Sequence, residues 1–385
     1  MPTDYASPLE WLDRVRAAVA AKTPLRLRGG GSKDFYGEAP QGELLDTRTW
    51  CGITDYAPTE LVITARCGTP LAELEAALAE KGQCLAFEPP HFAGGATLGG
   101  MVAAGLSGPA RASVGPLRDY VLGLRLINGR AEHLRFGGQV MKNVAGYDLS
   151  RLMVGALGTL GLITEVSLKV MPRAPLQATL MARGIGQQAS LDLLNRWGGQ
   201  PLPLNASCWV HDAGQDCLFV RLSGAAAAVH AATPRMLAEL QGLGAQALLM
   251  DNAQAAPDWQ ACRDQTLPFF TPPSAAPELC LWRLSLPQTA PALDLPYAQL
   301  IEWHGGLRWL WAPLSAQEPL RQLSAELGGN ATLFIANDAY STGASSPFCA
   351  VFQPLDPVQA QIHQRLKAEF DPSGIFNPGR LYPHL

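Results

Sequence analysis

Between Pro89 and Ala110 the chain runs for 22 residues, PPHFAGGATLGGMVAAGLSGPA, without an Asp, Glu, Lys or Arg. That length without charge would suit a membrane span, but the six glycines and three prolines inside it do not. Leu98, Met101, Val102 and Leu106 recur at helical spacing and Thr97 stands where a helix start is capped. The pattern predicts a short helix with Gly99 and Gly100 in its first turn. Each interior glycine costs a helix about 1 kcal/mol relative to alanine. Two physical reasons for keeping such a pair stay open: a large, flat or phosphate-bearing ligand pressed on the helix backbone, or close packing of helix on sheet.

At 385 residues the chain has room for two or three domains. Only 16% of residues are charged against 48% hydrophobic, so part of the surface is expected to be covered by partner subunits. A net charge of -4, with no local cluster of Lys and Arg, offers no surface for nucleic acid. The eight cysteines include no CxxC pair, which removes the usual ligand sets for iron–sulfur clusters and zinc, and no metal is expected. No basic segment followed by an apolar core opens the chain, so a cytoplasmic location is expected, with membrane attachment only peripheral and through a partner.

In chain order, Ser7-Pro8-Leu9-Glu10 reads as a capping box opening a helix with Leu9, Leu12, Val15 and Val19 on its apolar face. A strand at 24–28 runs directly into Gly29-Gly30-Gly31-Ser32-Lys33. Consecutive backbone N–H groups there can form an anion-binding nest with Lys33 adding charge, although a plain turn fits as well. Neither common phosphate motif is matched, since Asp34 stands where G-x-G-x-x-G needs glycine. A buried strand at 61–65, a helix from Leu71 ending at Gly82, and a hairpin around Asn128-Gly129 follow. Asp148 caps a short helix, glycines recur at 155, 158 and 161, and 162–170 alternates as a strand. Beyond Arg173 the texture is that of a smaller α+β domain. Strands are expected at 217–222 and 279–286 and helices at 225–240 and 318–327, whereas 251–277 shows no order. Asp356-Pro357 opens a helix with Val358, Ile362, Leu366 and Phe370 on one face, and 371–380 ends the chain in turns.

Together, the glycine nest, ATLGGMVAAG at 96–105, KNVAGYDLSRLMVGALGTLGLITEV at 142–166 and DPSGIFNPGR at 371–380 resemble the vanillyl-alcohol-oxidase type of FAD-linked oxidases. Within it the chain is most similar to the FAD-binding (E) subunits of bacterial glycolate oxidase. The resemblance implies a PCMH-type FAD-binding domain of two α+β subdomains over 1–172, an α+β cap domain over 173–350, and a segment 351–385 that returns to the FAD domain. It also implies non-covalent FAD. Gly29, Gly30, Gly31 and Ser32 would meet the pyrophosphate, helped by Lys33. Thr97, Gly99, Gly100, Ala103 and Gly105 would line the same ligand, and Gly158, Gly161 and Ile163 would sit against it through main-chain atoms. Relatives often read Gly-Ser-Glu-Gly where this chain has Gly155-Ala156-Leu157-Gly158, so a polar contact common in the family is missing.

Oxidising a 2-hydroxy acid requires a base for the hydroxyl proton and a cation for the carboxylate. The His-rich motif of catalytic relatives is not found here, and the seven histidines are isolated. His304, Arg308 and Arg380 are the candidates for the two roles, each with a structural role as the commoner alternative. The resemblance therefore implies a redox subunit whose partners are a catalytic FAD-linked glycolate oxidase subunit and an iron–sulfur subunit. A self-sufficient 2-hydroxy-acid dehydrogenase and a non-catalytic assembly subunit are the alternatives.

Overall fold

In a computed structural model of the chain, the residues described are 8–92, 94–138, 148–212, 214–336 and 350–385. The chain divides into two compact units. One comprises Met1–Leu106, Pro116–Pro172 and Ala350–Leu385, the other Ser107–Gly115 and Arg173–Cys349.

The first unit opens with helix α1 (Pro8–Ala21), whose buried side is Trp11, Leu12, Val15 and Ala18. Leu9 is 69% exposed, so the face is rotated from the expected one; burying the indole of Trp11 removes more apolar area than burying Leu9 would. Strands β1 (Leu25–Arg28) and β2 (Glu43–Asp46) pair in parallel. A five-stranded antiparallel sheet follows, formed by β3 (Ile53–Ala57), β4 (Val62–Arg66), β6 (Val121–Ile127), β7 (His133–Gly137) and β8 (Leu162–Lys169) in the order β3-β4-β8-β6-β7. Two short strands, β5 (Gln83–Cys84) and β9 (Met171–Pro172), pair beside it. Helices α2 (Leu71–Glu80) and α3 (Leu98–Ala104) and the apolar residues of β4 and β8 join one core, including Leu74, Met101, Ile63 and Val166.

The hairpin forms, with a wider turn than Asn128-Gly129 suggests. Ile127 pairs with His133, leaving residues 128–132 as the loop. Asn128 Oδ1 accepts the N–H groups of Arg130 and Glu132, at 3.0 and 2.9 Å, and Ala131 takes the left-handed conformation. Gly129 serves a different need: a Cβ there would stand 2.7 Å from Asp371 Cα. The C-terminal helix Pro357–Phe370, capped by Asp356, buries Lys367 and Phe370. Val358 and Ile362 are exposed, contrary to the stripe expected through them.

In the second unit β10 (Leu176–Arg183), β11 (Leu204–Asp212), β12 (Gln215–Gly224), β13 (Gln246–Leu249), β14 (Leu279–Ser285), β15 (Gln299–Glu302), β16 (Leu307–Pro313) and β17 (Asn330–Ile335) form one antiparallel sheet. Its order is β13-β10-β12-β11-β15-β16-β14-β17. Alternate residues such as Trp209, Leu218 and Val220 pack with Leu194, Trp197 and Met236 of helices Gln187–Gly198 and Ala226–Gly242. Trp282 and Leu310 pack with Leu320 of helix Gln317–Glu326. The unordered-looking stretch holds a helix, Asn252–Asp264, started by Asp251. An internal Pro257 and only three buried residues hide it from a periodicity reading. Among the described residues no helix is long and apolar enough to cross a membrane.

Candidate functional site

Strand β1 ends at Arg28 and the chain enters the triple glycine, where each glycine answers its own steric demand. A Cβ on Gly29 would stand 2.2 Å from Thr97 Oγ1, and one on Gly30 would stand 1.5 Å from the carbonyl oxygen of Gly95. Gly31 has φ +76°, a conformation that side chains disfavour. The loop is thus pressed onto the segment that leads into α3. Among the described residues no protein acceptor takes the backbone N–H of Gly30, Gly31 or Ser32, which leaves three successive donors for a ligand.

These donors face a cleft whose other wall is Thr97, Gly100 and Ala103 of α3, closed by Leu157, Asn377 and Arg380. Arg28 Nε and Arg26 Nη2 both donate to Asp34 Oδ2, at 2.6 and 3.1 Å, and Lys33 adds a further cation. One carboxylate against four cationic side chains, Arg26, Arg28, Lys33 and Arg380, leaves the cleft suited to an anion. Lys33 also lies 5.5 Å from the centre of the Phe92 ring.

Helix α3 resolves the question of its paired glycines by giving each a different reason. Thr97 caps it, Oγ1 accepting the N–H of Gly100 at 3.3 Å, and Gly105 ends it in the left-handed conformation. Gly99 is required by packing, because a Cβ there would stand 2.7 Å from Cys67 Cβ and its N–H already reaches Cys67 O at 2.7 Å. Gly100 instead faces the cleft, where, among the described residues, only Thr97 Oγ1 stands near a Cβ, at 3.2 Å. Gly105 meets Gly155, whose Cα would lie 2.8 Å from its Cβ.

Of the residues singled out from sequence, Gly29, Gly30, Gly31, Ser32, Lys33, Thr97, Gly100 and Ala103 line the one cleft. Gly99, Gly105, Gly158, Gly161 and Ile163 lie in the packing around it. A Cβ on Gly158 would press on Asn377 Nδ2 and one on Gly161 on Ile127 O, each at 2.7 Å, while Ile163 is buried in β8. Residues 142–147 of the third motif lie outside the described residues. Asp148 caps the short helix Leu149–Leu152 as expected.

The residue that sequence reasoning passed over is Asn377. Its Oδ1 accepts the N–H of Leu27 at 2.8 Å and its Nδ2 donates to Leu157 O at 2.6 Å. Leu25 N–H donates to Ile375 O at 2.7 Å and Asn377 N–H to Leu25 O at 3.0 Å, so the 371–380 motif lies alongside β1 and braces the strand that carries the nest. Asp371 holds this turn, accepting from Ile375 N and Phe376 N, and Lys367 Nζ donates to Asp371 Oδ2, Thr159 O and Phe376 O. Burial holds the Lys367 pKa down despite the carboxylate beside it. The available signal was an Asp, an Asn and an Arg set among turn residues at 371–380.

Each of the three candidates for substrate chemistry is engaged with protein partners. Arg380 donates to the carbonyls of Asp34, Tyr36 and Glu38 and so clamps the loop after the nest. In the second unit Arg308 is fully buried and donates to the carbonyls of Gly305, Pro291 and Ala290, with its pKa lowered to about 10 by burial. His304 Nδ1 lies 2.9 Å from Ser207 Oγ and Nε2 lies 3.0 Å from Ser113 Oγ. Burial lowers its pKa to about 4, so the ring is neutral at ordinary pH.

Residues 6–137 match the family model described as an FAD binding domain. Glycolate oxidase subunit GlcE of Escherichia coli (strain K12) is 45% identical, over 99% of this chain and 99% of that protein. Glycolate oxidase subunit GlcD of Bacillus subtilis (strain 168) is 33% identical over 42% of this chain and 34% of its own length. Among solved structures, alkyldihydroxyacetonephosphate synthase superposes with a TM-score of 0.66 at 16% identity, covering 95% of this chain and 73% of that one. The isoeugenol complex of 4-ethylphenol oxidase from Gulosibacter chungangensis also reaches 0.66, at 14% identity, over 98% and 88%. At such identities the likeness is one of fold.

Proposed function

Because the chain belongs to the family of glycolate oxidase GlcE subunits, FAD-linked oxidoreductases, we propose that it is the FAD-binding redox subunit of a complex that oxidises glycolate to glyoxylate. The observation that carries the cofactor assignment is the nest: three unclaimed backbone N–H groups at Gly30, Gly31 and Ser32, in a cleft with a cationic excess, are what a diphosphate bridge requires. Arg26, Arg28 and Lys33 offset the charge of that bridge. Gly100 and Ala103 keep α3 low enough for close approach, and the bracing of β1 by Asn377 fixes the direction of the nest. FAD, when bound, supplies the two-electron acceptor for oxidation of a 2-hydroxy acid. No His or Cys stands in the nest loop, and the cofactor is held non-covalently.

The partners in this reading are a catalytic FAD-linked subunit and an iron–sulfur subunit, with the complex peripheral at the inner face of the cell membrane. The commitment of His304, Arg308 and Arg380 to protein partners supports turnover in the complex over turnover by this chain alone. The test is to purify the chain, record its visible spectrum and precipitate it with acid. A flavin spectrum that moves entirely to the supernatant supports the reading, as does glycolate-dependent dye reduction only after the partners are added. A chain that cannot be loaded with FAD, or that turns over glycolate at full rate alone, overturns it.

A further inference from the structure

The second unit carries a groove that the proposed function leaves unused. Along β11 and β12, Trp209, Leu218 and Val220 face the helices Gln187–Gly198 and Ala226–Gly242, so the alternating Val210 and Phe219 face the other way. On that opposite side they form the floor of a groove of about 380 Å³ walled by Met250, Trp259 and Phe269. A dry apolar cavity of about 150 Å³ accepts benzene, and ligand sites run from about 300 Å³ upward, so the groove is of ligand size and takes more than one ring.

Its buried polar groups are already engaged. Trp259 Nε1 donates to Thr179 Oγ1 at 3.0 Å and the Arg221 guanidinium lies 4.9 Å from its ring centre, which fixes the indole as a wall. At the inner end the Cys262 thiol donates to Glu302 Oε1 at 3.2 Å, while Glu302 Oε2 accepts from Trp309 Nε1 at 2.7 Å. Asp212 and Asp258 stand exposed at the mouth, beside His211, whose Nδ1 pairs with Asp216 at 2.8 Å. Among the described residues no Lys or Arg lines the groove. A small anion such as glycolate meets apolar walls and two carboxylates there, and a flat uncharged ring meets three aromatic side chains.

We propose that this groove of the second unit binds an uncharged small molecule carrying one or two fused rings, separately from the cleft at the glycine nest. The probes are 2-naphthol and its anionic analogue 2-naphthoate, in equilibrium dialysis against the full chain loaded with FAD. One saturable 2-naphthol per chain is expected, with 2-naphthoate about tenfold weaker through repulsion at the mouth. Val210→Trp fills the floor and abolishes 2-naphthol binding with FAD content unchanged. The double variant D212N/D258N brings 2-naphthoate close to 2-naphthol. Absence of saturable binding to the FAD-loaded chain, or binding that survives V210W, overturns the proposal. So does 2-naphthoate binding as well as 2-naphthol to the unmodified protein. If V210W does not fold, D212N/D258N decides alone, since an unchanged ratio of the two affinities places the ligand elsewhere.

Discussion

Asn377 accepts the backbone N–H of Leu27 from 350 residues away, at 2.8 Å, and so ties the last turn of the chain to the strand that presents the glycine nest. Both polar ends of its carboxamide are spent in this role, the other on Leu157 O. Asn377→Ala leaves a half-buried donor and a buried acceptor unpaired and should cost about 1–3 kcal/mol, read as a lower midpoint in denaturant unfolding. FAD affinity should fall with it, because the nest loses its brace. Asn377→Asp should be no better, as its second oxygen would face the Leu157 carbonyl.

The two neighbouring glycines of α3 should fail in different ways. Gly99→Ala forces a methyl against Cys67 and should lower stability by about 1–3 kcal/mol, while the protein that folds still takes up FAD. Gly100→Leu projects an isobutyl group into the cleft, yet leucine favours a helix over glycine by close to 1 kcal/mol. The apoprotein should therefore melt no lower, while the ratio of flavin absorbance to protein absorbance falls to near zero.

Lys367 and Asp371 form a buried pair 2.8 Å apart, the aspartate side chain fully inaccessible. Lys367→Met strands that carboxylate along with the carbonyls of Thr159 and Phe376, at a cost of about 3–5 kcal/mol. The double variant K367M/D371N should recover part of the loss, because no unpaired charge then remains. Equilibrium unfolding of the four proteins in a double-mutant cycle measures the coupling.

His304 sets a pH dependence. Its folded-state pKa of about 4 lies below the 6.5 of an unhindered imidazole, so between those values the unfolded chain binds more protons than the folded one. Stability should be unaffected above pH 6.5 and fall as the pH drops toward 4, by about 3 kcal/mol in all from this group. His304→Gln removes the titration. Its unfolding free energy should lose this part of the acid slope, whatever the variant's stability at neutral pH, and an unchanged slope would sink the assignment.

Much of the local structure was legible because it rests on short-range chemistry. Thr97 and Asp148 cap the helices they precede, Gly82 and Gly105 follow helix ends in the left-handed conformation, and the strands at 61–65 and 162–170 show in their apolar runs. Where local signals competed, tertiary packing won. Leu9, Val358 and Ile362 match helical periodicity yet remain exposed, since periodicity states which residues share a face and does not state what covers it. The helix Asn252–Asp264 was hidden by Pro257 and by its few buried positions.

By itself the sequence determined where side chains are given up, at 29–31, 99–100, 105, 155, 158 and 161, because a glycine that costs backbone entropy must be repaid by close approach or an unusual φ. Only the tertiary structure decided what approaches each one. Gly30 yields to the Gly95 carbonyl, Gly99 to Cys67 and Gly158 to Asn377, whereas Gly100 faces the cleft. The distinction depends on residues up to 350 positions apart, such as Leu27 and Asn377, whose meeting follows from burial of a shared core and leaves no local mark in the sequence.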